Sequence, residues 1–241
     1  MLSRILTNGE CVLDAATPEE ASERFMAAAR SLGATYLQTR LYQRPVGRLT
    51  SASHFAAGGV IARIAPDSWS ESEAFNYICF DCNPLLGAIR EGRTRYAFSD
   101  FAPRMSRDYG AYWDALGEAD ISEALCATSY GPGGTIASVH IGFGAREFSA
   151  DERLSIQLAG LVLTERLMSI ANPAPDEPTP LTARERDSLA LVAEGKTDWE
   201  ISVILSISES TARFHVDNAR RKLGAVSRAQ AVAKVIDRRL I

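Results

Sequence analysis

Ser210, Arg213, Phe214, Asp217, Arg220 and Arg221 fall on one side of a helix predicted over 209–223. Ala212, Val216, Ala219 and Leu223 recur at i, i+4, i+7 and i+11 on the opposite side, an apolar stripe that must face a core. A helix held along one side and carrying donors on the other fits a DNA major groove. There, arginine can pair with guanine edges and Phe214 can touch thymine methyls. Thr211 adds a hydroxyl near the helix start, and Arg220, Arg221 and Lys222 near its end reach more naturally to phosphates. Lys196 and Thr197 precede another predicted helix, whose free amides and favourable dipole suit a phosphate. From residue types alone the arginine face has two readings, a groove-reading surface or an ordinary solvated one.

The spacing predicts four helices around these residues. Thr182 caps a helix running through Arg184, Glu185 and Leu189 to Val192 and stopping near Gly195. Thr197 caps Asp198–Leu205, the chain turns at Ser206–Ser208, a longer helix runs from Glu209 to Leu223, and a last one covers 227–239. That is the layout of an all-α four-helix helix-turn-helix domain. A domain of this size reads only a few base pairs, so useful specificity calls for a dimer on a two-fold site. The last helix is a candidate contact between copies, although core packing accounts for the same residues.

Upstream, four of the ten prolines crowd into residues 172–180, an extended connector that divides the chain into 1–171, 172–180 and 181–241. Cys126–Tyr130 and Thr135–Phe143 read as strands joined through Gly131-Pro-Gly-Gly134, a hairpin. Thr35–Tyr42 and Phe55–Ile64 read as further strands. Residues 18–32, 70–80, 84–91 and 106–119 read as helical, as does a helix of roughly twenty residues after Ser149. The first domain is expected to be α+β, an antiparallel sheet with helices.

The net charge of the 241 residues is -4, which taken whole argues against a nucleic-acid partner. Split at the connector, residues 181–241 carry +3 and residues 1–172 carry -5, the pattern of a basic module on an acidic body. The composition, 46% hydrophobic and 23% charged, excludes disorder and fibre. With no long uninterrupted apolar run and no signal-like start, a cytoplasmic protein without a membrane partner is expected. Four cysteines agree with a reducing compartment. Cys79-Phe-Asp-Cys82 is either half of a metal or redox site or two packed thiols, and no second pair or histidine set follows at ligand spacing. No G-x-S-x-G elbow and no nucleophile–histidine motif is found, so no enzymatic activity, cofactor or metal is expected.

Leu181-Thr-Ala-Arg-Glu-Arg-Asp-Ser-Leu189, Val192-Ala-Glu-Gly-Lys-Thr197, Glu200-Ile201, Ile207-Ser-Glu-Ser-Thr211, His215 and Arg221-Lys-Leu-Gly224 resemble, in order and without a gap, the DNA-binding domain of LuxR-type transcription regulators. The resemblance makes Glu185, Leu189 and Gly195 signature positions and the helix opened by Ser208 the recognition helix. Double-stranded DNA is then the expected partner.

Gly131-Pro-Gly-Gly134, a strand, and Phe148-Ser-Ala-Asp-Glu152 opening a long helix resemble the acyl-homoserine-lactone-binding domain of quorum-sensing members of that family. The resemblance implies an antiparallel sheet between helices with the signal buried beside the sheet. It places Trp69, Tyr77, Asn83, Phe98 and Cys126 in the ligand site. The match is imperfect. Asn83-Pro84 stands at the family's Asp-Pro step and loses the charge that strengthens a bond to an amide. Phe98 stands where a second Trp is usual and loses its indole donor. Glu73 and Ala74 fall near the family's Tyr, and Ala124 and Cys126 stand where it favours Gly and Thr. Such a pocket fits a different signal, the usual one held weakly, or none. The expectation is a dimeric DNA-binding regulator gated by an acyl-homoserine lactone or another small apolar signal. The alternative is an orphan regulator that needs no lactone or relies on a protein partner, as a homodimer or heterodimer.

Overall fold

The computed structural model describes residues 12–66, 69–171, 181–238 and 240–241. The proline-rich connector and Cys11 lie outside the described residues. The chain divides into two compact units, Met1–Pro173 and Ala174–Ile241.

The first unit is built on β1 (Ala34–Gln43), β2 (Val60–Ile64), β3 (Arg95–Ala97), β4 (Glu123–Tyr130) and β5 (Thr135–Phe143), paired antiparallel in the order β2-β1-β5-β4-β3. Around the sheet run α1 (Pro18–Arg30), α2 (Ser51–Ala56), α3 (Glu73–Asn76), α4 (Leu86–Arg90), α5 (Phe98–Phe101), α6 (Gly110–Gly117) and α7 (Ala150–Ala171). The β4–β5 hairpin turns through Gly133 and Gly134, both at positive φ (63° and 79°), where glycine carries no steric cost.

Side chains alternate across a strand, so β4 sends Leu125 and Ala127 to one face and Ala124 and Cys126 to the other. All of these are buried, and helices therefore cover both faces. On the first face, Phe25 and Met26 of α1 and Ile156, Leu163 and Leu167 of α7 pack on Leu37, Leu125, Val139 and Ile141. Two buried hydroxyl pairs, Ser22–Thr39 at 2.9 Å and Ser129–Thr164 at 2.8 Å, satisfy the polar groups at this interface. Long and apolar enough by length and composition to cross a membrane, α7 lies against the sheet here. On the second face Trp69, Phe75, Tyr96, Phe98, Tyr112 and Leu116 gather over Tyr36, Ala124 and Cys126.

Two local expectations are corrected. Phe55–Ile64 is not one strand. Thr50 and Ser53 form a capping box that opens α2, and Gly58 and Gly59, at φ 61° and 72°, end it, so that only Val60–Ile64 is extended. Residues 70–80 are not one helix either. After a single 3-10 turn at Trp69–Glu71, the Ser72 hydroxyl caps Phe75 N at 3.0 Å and starts α3. The chain then widens into a π turn at Tyr77–Asp81. Strand β3 and helix α5 had no distinct signal of their own.

The second unit consists of α8 (Ala183–Ala193), α9 (Asp198–Leu205), α10 (Glu209–Lys222) and α11 (Arg228–Asp237). Thr182 with Glu185 and Thr197 with Glu200 form capping boxes, and Ser208 and Ser227 cap α10 and α11. The α9–α10 turn hinges on Ser206 in the left-handed region (φ 54°, ψ 47°). Leu189, Ile201, Ala212, Val216, Ala219, Leu223, Ala231 and Val235 form the core, so the predicted stripe of α10 does face inward.

The closest helix–sheet approach in the first unit yields a prediction. A Cβ on Gly160 of α7 would stand 2.9 Å from Ala127 Cβ and 3.1 Å from Val139 Cγ1. Gly160→Val should lower the stability measured by urea unfolding by about 1–3 kcal/mol through overpacking. Gly110→Ala, with nothing within 4 Å of the added methyl, should have little effect.

Candidate functional site

The second face of the sheet encloses a cavity of about 250 Å³. Its floor follows from the alternation of β1: Tyr36, Gln38, Arg40 and Tyr42 share one face, with Ser138 and His140 of β5 and Arg63 of β2 beside them. Trp69, Phe75, Phe98 and Tyr112 supply apolar walls, and Asn83 lies at the edge.

Of the five residues singled out for a ligand, Trp69, Asn83 and Phe98 line this cavity, whereas Tyr77 and Cys126 do not. Trp69 is 2% exposed, and its indole Nε1 is buried without a hydrogen-bond partner. The Asn83 side-chain amide donates to Cys79 O at 3.3 Å, which leaves its carbonyl as an acceptor. Phe98 is buried edge-on to His140, with ring centroids 5.4 Å apart. Tyr77 sits partly buried in the π turn, and Cys126 is fully buried within β4. Burial pushes the Cys79 thiol up to about 11 and the Cys126 thiol further, so both stay protonated, as packed thiols do.

Sequence reasoning missed the polar floor. Arg40 is 7% exposed, and its Nε and Nη2 donate to Gly58 O at 3.0 and 2.6 Å, with Nη2 also reaching His54 O at 3.0 Å. Arg63 Nε donates to Gln38 Oε1 at 2.8 Å and its Nη1 to Ser70 Oγ at 3.2 Å. His140 Nε2 shares a hydrogen bond with the Tyr96 hydroxyl at 3.1 Å. Burial, reinforced by Arg40, pushes His54 down to about 4 and His140 down to about 3, so both imidazoles are neutral near pH 7. The period-two run Tyr36, Gln38, Arg40, Tyr42 within a predicted strand was the available signal.

In the second unit, α10 turns Ser210, Arg213, Phe214, Asp217 and Arg221 outward, with Phe214 57% exposed, while Thr211 is half-buried. Arg213 bridges Asp198 and Glu209, each at 3.2 Å. Exposed pairs of this kind are worth little and exchange readily for a phosphate or a base. Arg220 is folded back, pairing with Asp217 at 3.4 Å and donating to Ala225 O at 3.1 Å. Lys222 does not extend beside Arg221: it bonds the buried Glu185 carboxylate at 2.8 Å. Burial pushes that carboxyl up, but the Lys222 and Thr182 hydrogen bonds outweigh it and hold the group below the usual range. Thr197, exposed, caps α9, and the half-buried Lys196 precedes it. In α11, Ala231 and Val235 belong to the core, whereas Ile236 is exposed.

The family model described as "Bacterial regulatory proteins, luxR family" matches residues 179–235. Residues 179–235 thus form a domain of the luxR family. This helix-turn-helix is the family's DNA-binding domain, with Glu185 buried at the pivot between α8 and α10. The chain is 43% identical over 95 residues to the HTH-type quorum sensing-dependent transcriptional regulator RpaR of Rhodopseudomonas palustris, a match spanning 39% of either protein. It is 28% identical over 185 residues, 76% of each chain, to the transcriptional activator protein BjaR1 of Bradyrhizobium diazoefficiens. Escherichia coli SdiA superimposes with a TM-score of 0.57 at 24% identity, covering 99% of this chain and 98% of SdiA. A second SdiA structure, in complex with octanoyl-rac-glycerol, superimposes at 0.55 with 23% identity, covering 98% of this chain and 94% of the other. The antiparallel sheet between helices is thus the fold shared with SdiA.

The neutral buried histidines set a pH dependence. Between pH 6.5 and about 5 the unfolded chain binds protons that folded His54 and His140 refuse. Stability should therefore fall as pH falls, by up to about 1.4 kcal/mol per pH unit for each histidine. Thermal melting at pH 7, 6 and 5 should show this slope and a shallower one for His140→Gln. Equal slopes would contradict the assignment.

Proposed function

We propose that the chain is a signal-responsive, dimeric transcription regulator. Its first unit binds a small amphipathic molecule of the acyl-homoserine-lactone type, and its second unit places α10 in the major groove of DNA. The observation that carries the sensing half is the buried Trp69 indole N–H, left without a partner in a residue that lines the cavity. A buried donor left unpaired costs about 1–3 kcal/mol, a deficit that a ligand carbonyl removes. The Asn83 carbonyl offers the complementary acceptor for a ligand N–H, and Phe75, Phe98 and Tyr112 offer apolar surface. RpaR is by name dependent on quorum sensing, and SdiA takes an octanoyl ester, which supports an acyl signal.

The DNA half rests on the division of α10 into a buried stripe and an outward polar face. On this reading Ser210, Arg213, Phe214 and Asp217 meet base edges, and Lys196, Thr197, Thr211, Arg220 and Arg221 meet the sugar-phosphate backbone. The modest +3 charge of residues 181–241 gives weak non-specific binding and makes a homodimer on a two-fold site the natural means of specificity. Ligand binding to the DNA-competent state stabilises that state by mass action. The protein acts in the cytoplasm, and its role is regulatory rather than catalytic.

Two variants test the halves separately. Trp69→Phe keeps the ring volume and removes the donor, so the affinity for the best-binding lactone in an N-acyl-homoserine lactone series should drop about tenfold by calorimetry. If no lactone raises the melting temperature of the wild-type chain, the direct lactone reading is wrong. Arg213→Ala should leave the melting temperature nearly unchanged, because its ion pairs are exposed. It should weaken a DNase footprint by roughly 5- to 150-fold through a lost base contact. An unaltered footprint would remove Arg213 from the interface.

A further inference from the structure

We propose that the cavity takes a ligand bearing an anionic group of the carboxylate class, seated against Arg40 and Arg63 on the sheet face, with its apolar part among Phe75, Phe98 and Tyr112. The inference rests on the reading of this cavity as a small-molecule site and narrows its ligand.

The walls are electrically one-sided. Arg40 on β1 and Arg63 on β2 both line the cavity, and no aspartate or glutamate among the described residues does. Among the described residues neither arginine forms an ion pair. The hydrogen bonds of Arg40 run to the neutral Gly58 and His54, and those of Arg63 to the neutral Gln38, Ser70 and Tyr36. Their guanidinium groups also lie over aromatic rings, Arg40 at 4.4 Å from Tyr42 and Arg63 at 4.8 Å from Phe75. The other titratable side chains facing them, Tyr36, Tyr42, His54, Cys79, Tyr96 and His140, are all neutral near pH 7.

Two like charges therefore share a partly dry cavity without a counter-charge among the described residues. Buried charges are costly unless paired, and a guanidinium keeps its proton rather than neutralising itself. The β1–β2 register sets Gln38 opposite Arg63, with Arg40 two residues further along the same face. Arg63 lies across Gln38 on that face. A carboxylate beside these groups would supply the missing negative charge in charge-assisted hydrogen bonds, which are roughly twice as strong as neutral ones. Trp69 Nε1 offers a further donor for a second ligand acceptor.

Octanoate and octanamide share one chain and nearly one shape and differ in charge, so they isolate this effect. Calorimetric titration of the full chain should give octanoate at least tenfold tighter than octanamide. Arg63→Gln should bring the ratio to within about twofold while the melting temperature confirms folding, with Arg40→Gln as a second variant. Octanamide binding as tightly as octanoate would overturn the anionic ligand and leave the small-molecule site standing. A preference that survives in folded Arg63→Gln and Arg40→Gln alike would overturn the placement at these arginines. If neither probe binds at ~1 mM, the anionic ligand falls, and the broader small-molecule reading falls with it only if the lactone series is also silent.

Discussion

Everything in the first unit depends on the period-two alternation of side chains across a sheet that is covered on both faces. A strand in this position must carry two independent messages. Odd positions of β1 such as Leu37 and Thr39 meet α1, with Leu37 in the dry core and Thr39 bonded to Ser22. Even positions, Tyr36, Gln38, Arg40 and Tyr42, form the cavity floor. A one-residue slip in register would bury Gln38 and Arg40 against α1 and α7 and expose the core to the cavity. The long β1–β5 ladder, from Ala34 against Phe143 to Gln43 against Thr135, fixes that register.

The same constraint explains which features were legible beforehand. Capping residues were readable because their chemistry is local: Thr182, Thr197 and Ser208 announce helix starts within three residues, and all three helices begin there. The stripe of α10 and the β4–β5 hairpin were readable for the same reason. Residues 55–64 misled because the apolar Phe55 and Ala56 look strand-like, while the deciding features are the Thr50 cap and two glycines at positive φ. Residues 70–80 misled because Ser72 can sit inside a helix or start one, and only the surrounding packing selects the second. The cavity's aromatic walls were partly legible by resemblance. Its cationic floor was not, because Arg40 and Arg63 stand 23 positions apart and meet only through the β1–β2 pairing.

In the second unit the electrostatics are arranged to be exchanged. The buried Glu185 pairs with the partly exposed Lys222 and ties α8 to the end of α10, and removing Lys222 would leave an uncompensated carboxylate in the core. Arg213 is held by two carboxylates at an exposed site, where the pairs contribute little. Arg228 binds Asp198 at 2.6 Å, so Asp198 keeps a cation when Arg213 turns away. The helix can thus release its outward arginine to an incoming base without unbalancing the domain, while Lys222 stays committed to structure. Net charge describes this surface poorly, since +3 is distributed between cations that hold the fold and cations free to leave.

The polarity of the cavity departs from the family resemblance at positions 83 and 98. An Asn stands at the step where the family resemblance calls for Asp, which removes a negative group, and Phe98 stands where a second indole donor was expected. The floor carries two guanidinium groups, and the neutral histidines add dipoles without charge. In an enclosed, low-dielectric space each of these differences is amplified, because there is little water to screen it. A negative wall would compete with a ligand anion, and a wall without cations would gain nothing from one. The absence of an acid at position 83 and the presence of Arg40 and Arg63 therefore favour the same ligand charge. On the proposed reading, the site keeps a neutral acceptor for a ligand N–H at Asn83 and adds charged donors for a ligand acceptor at Arg40 and Arg63.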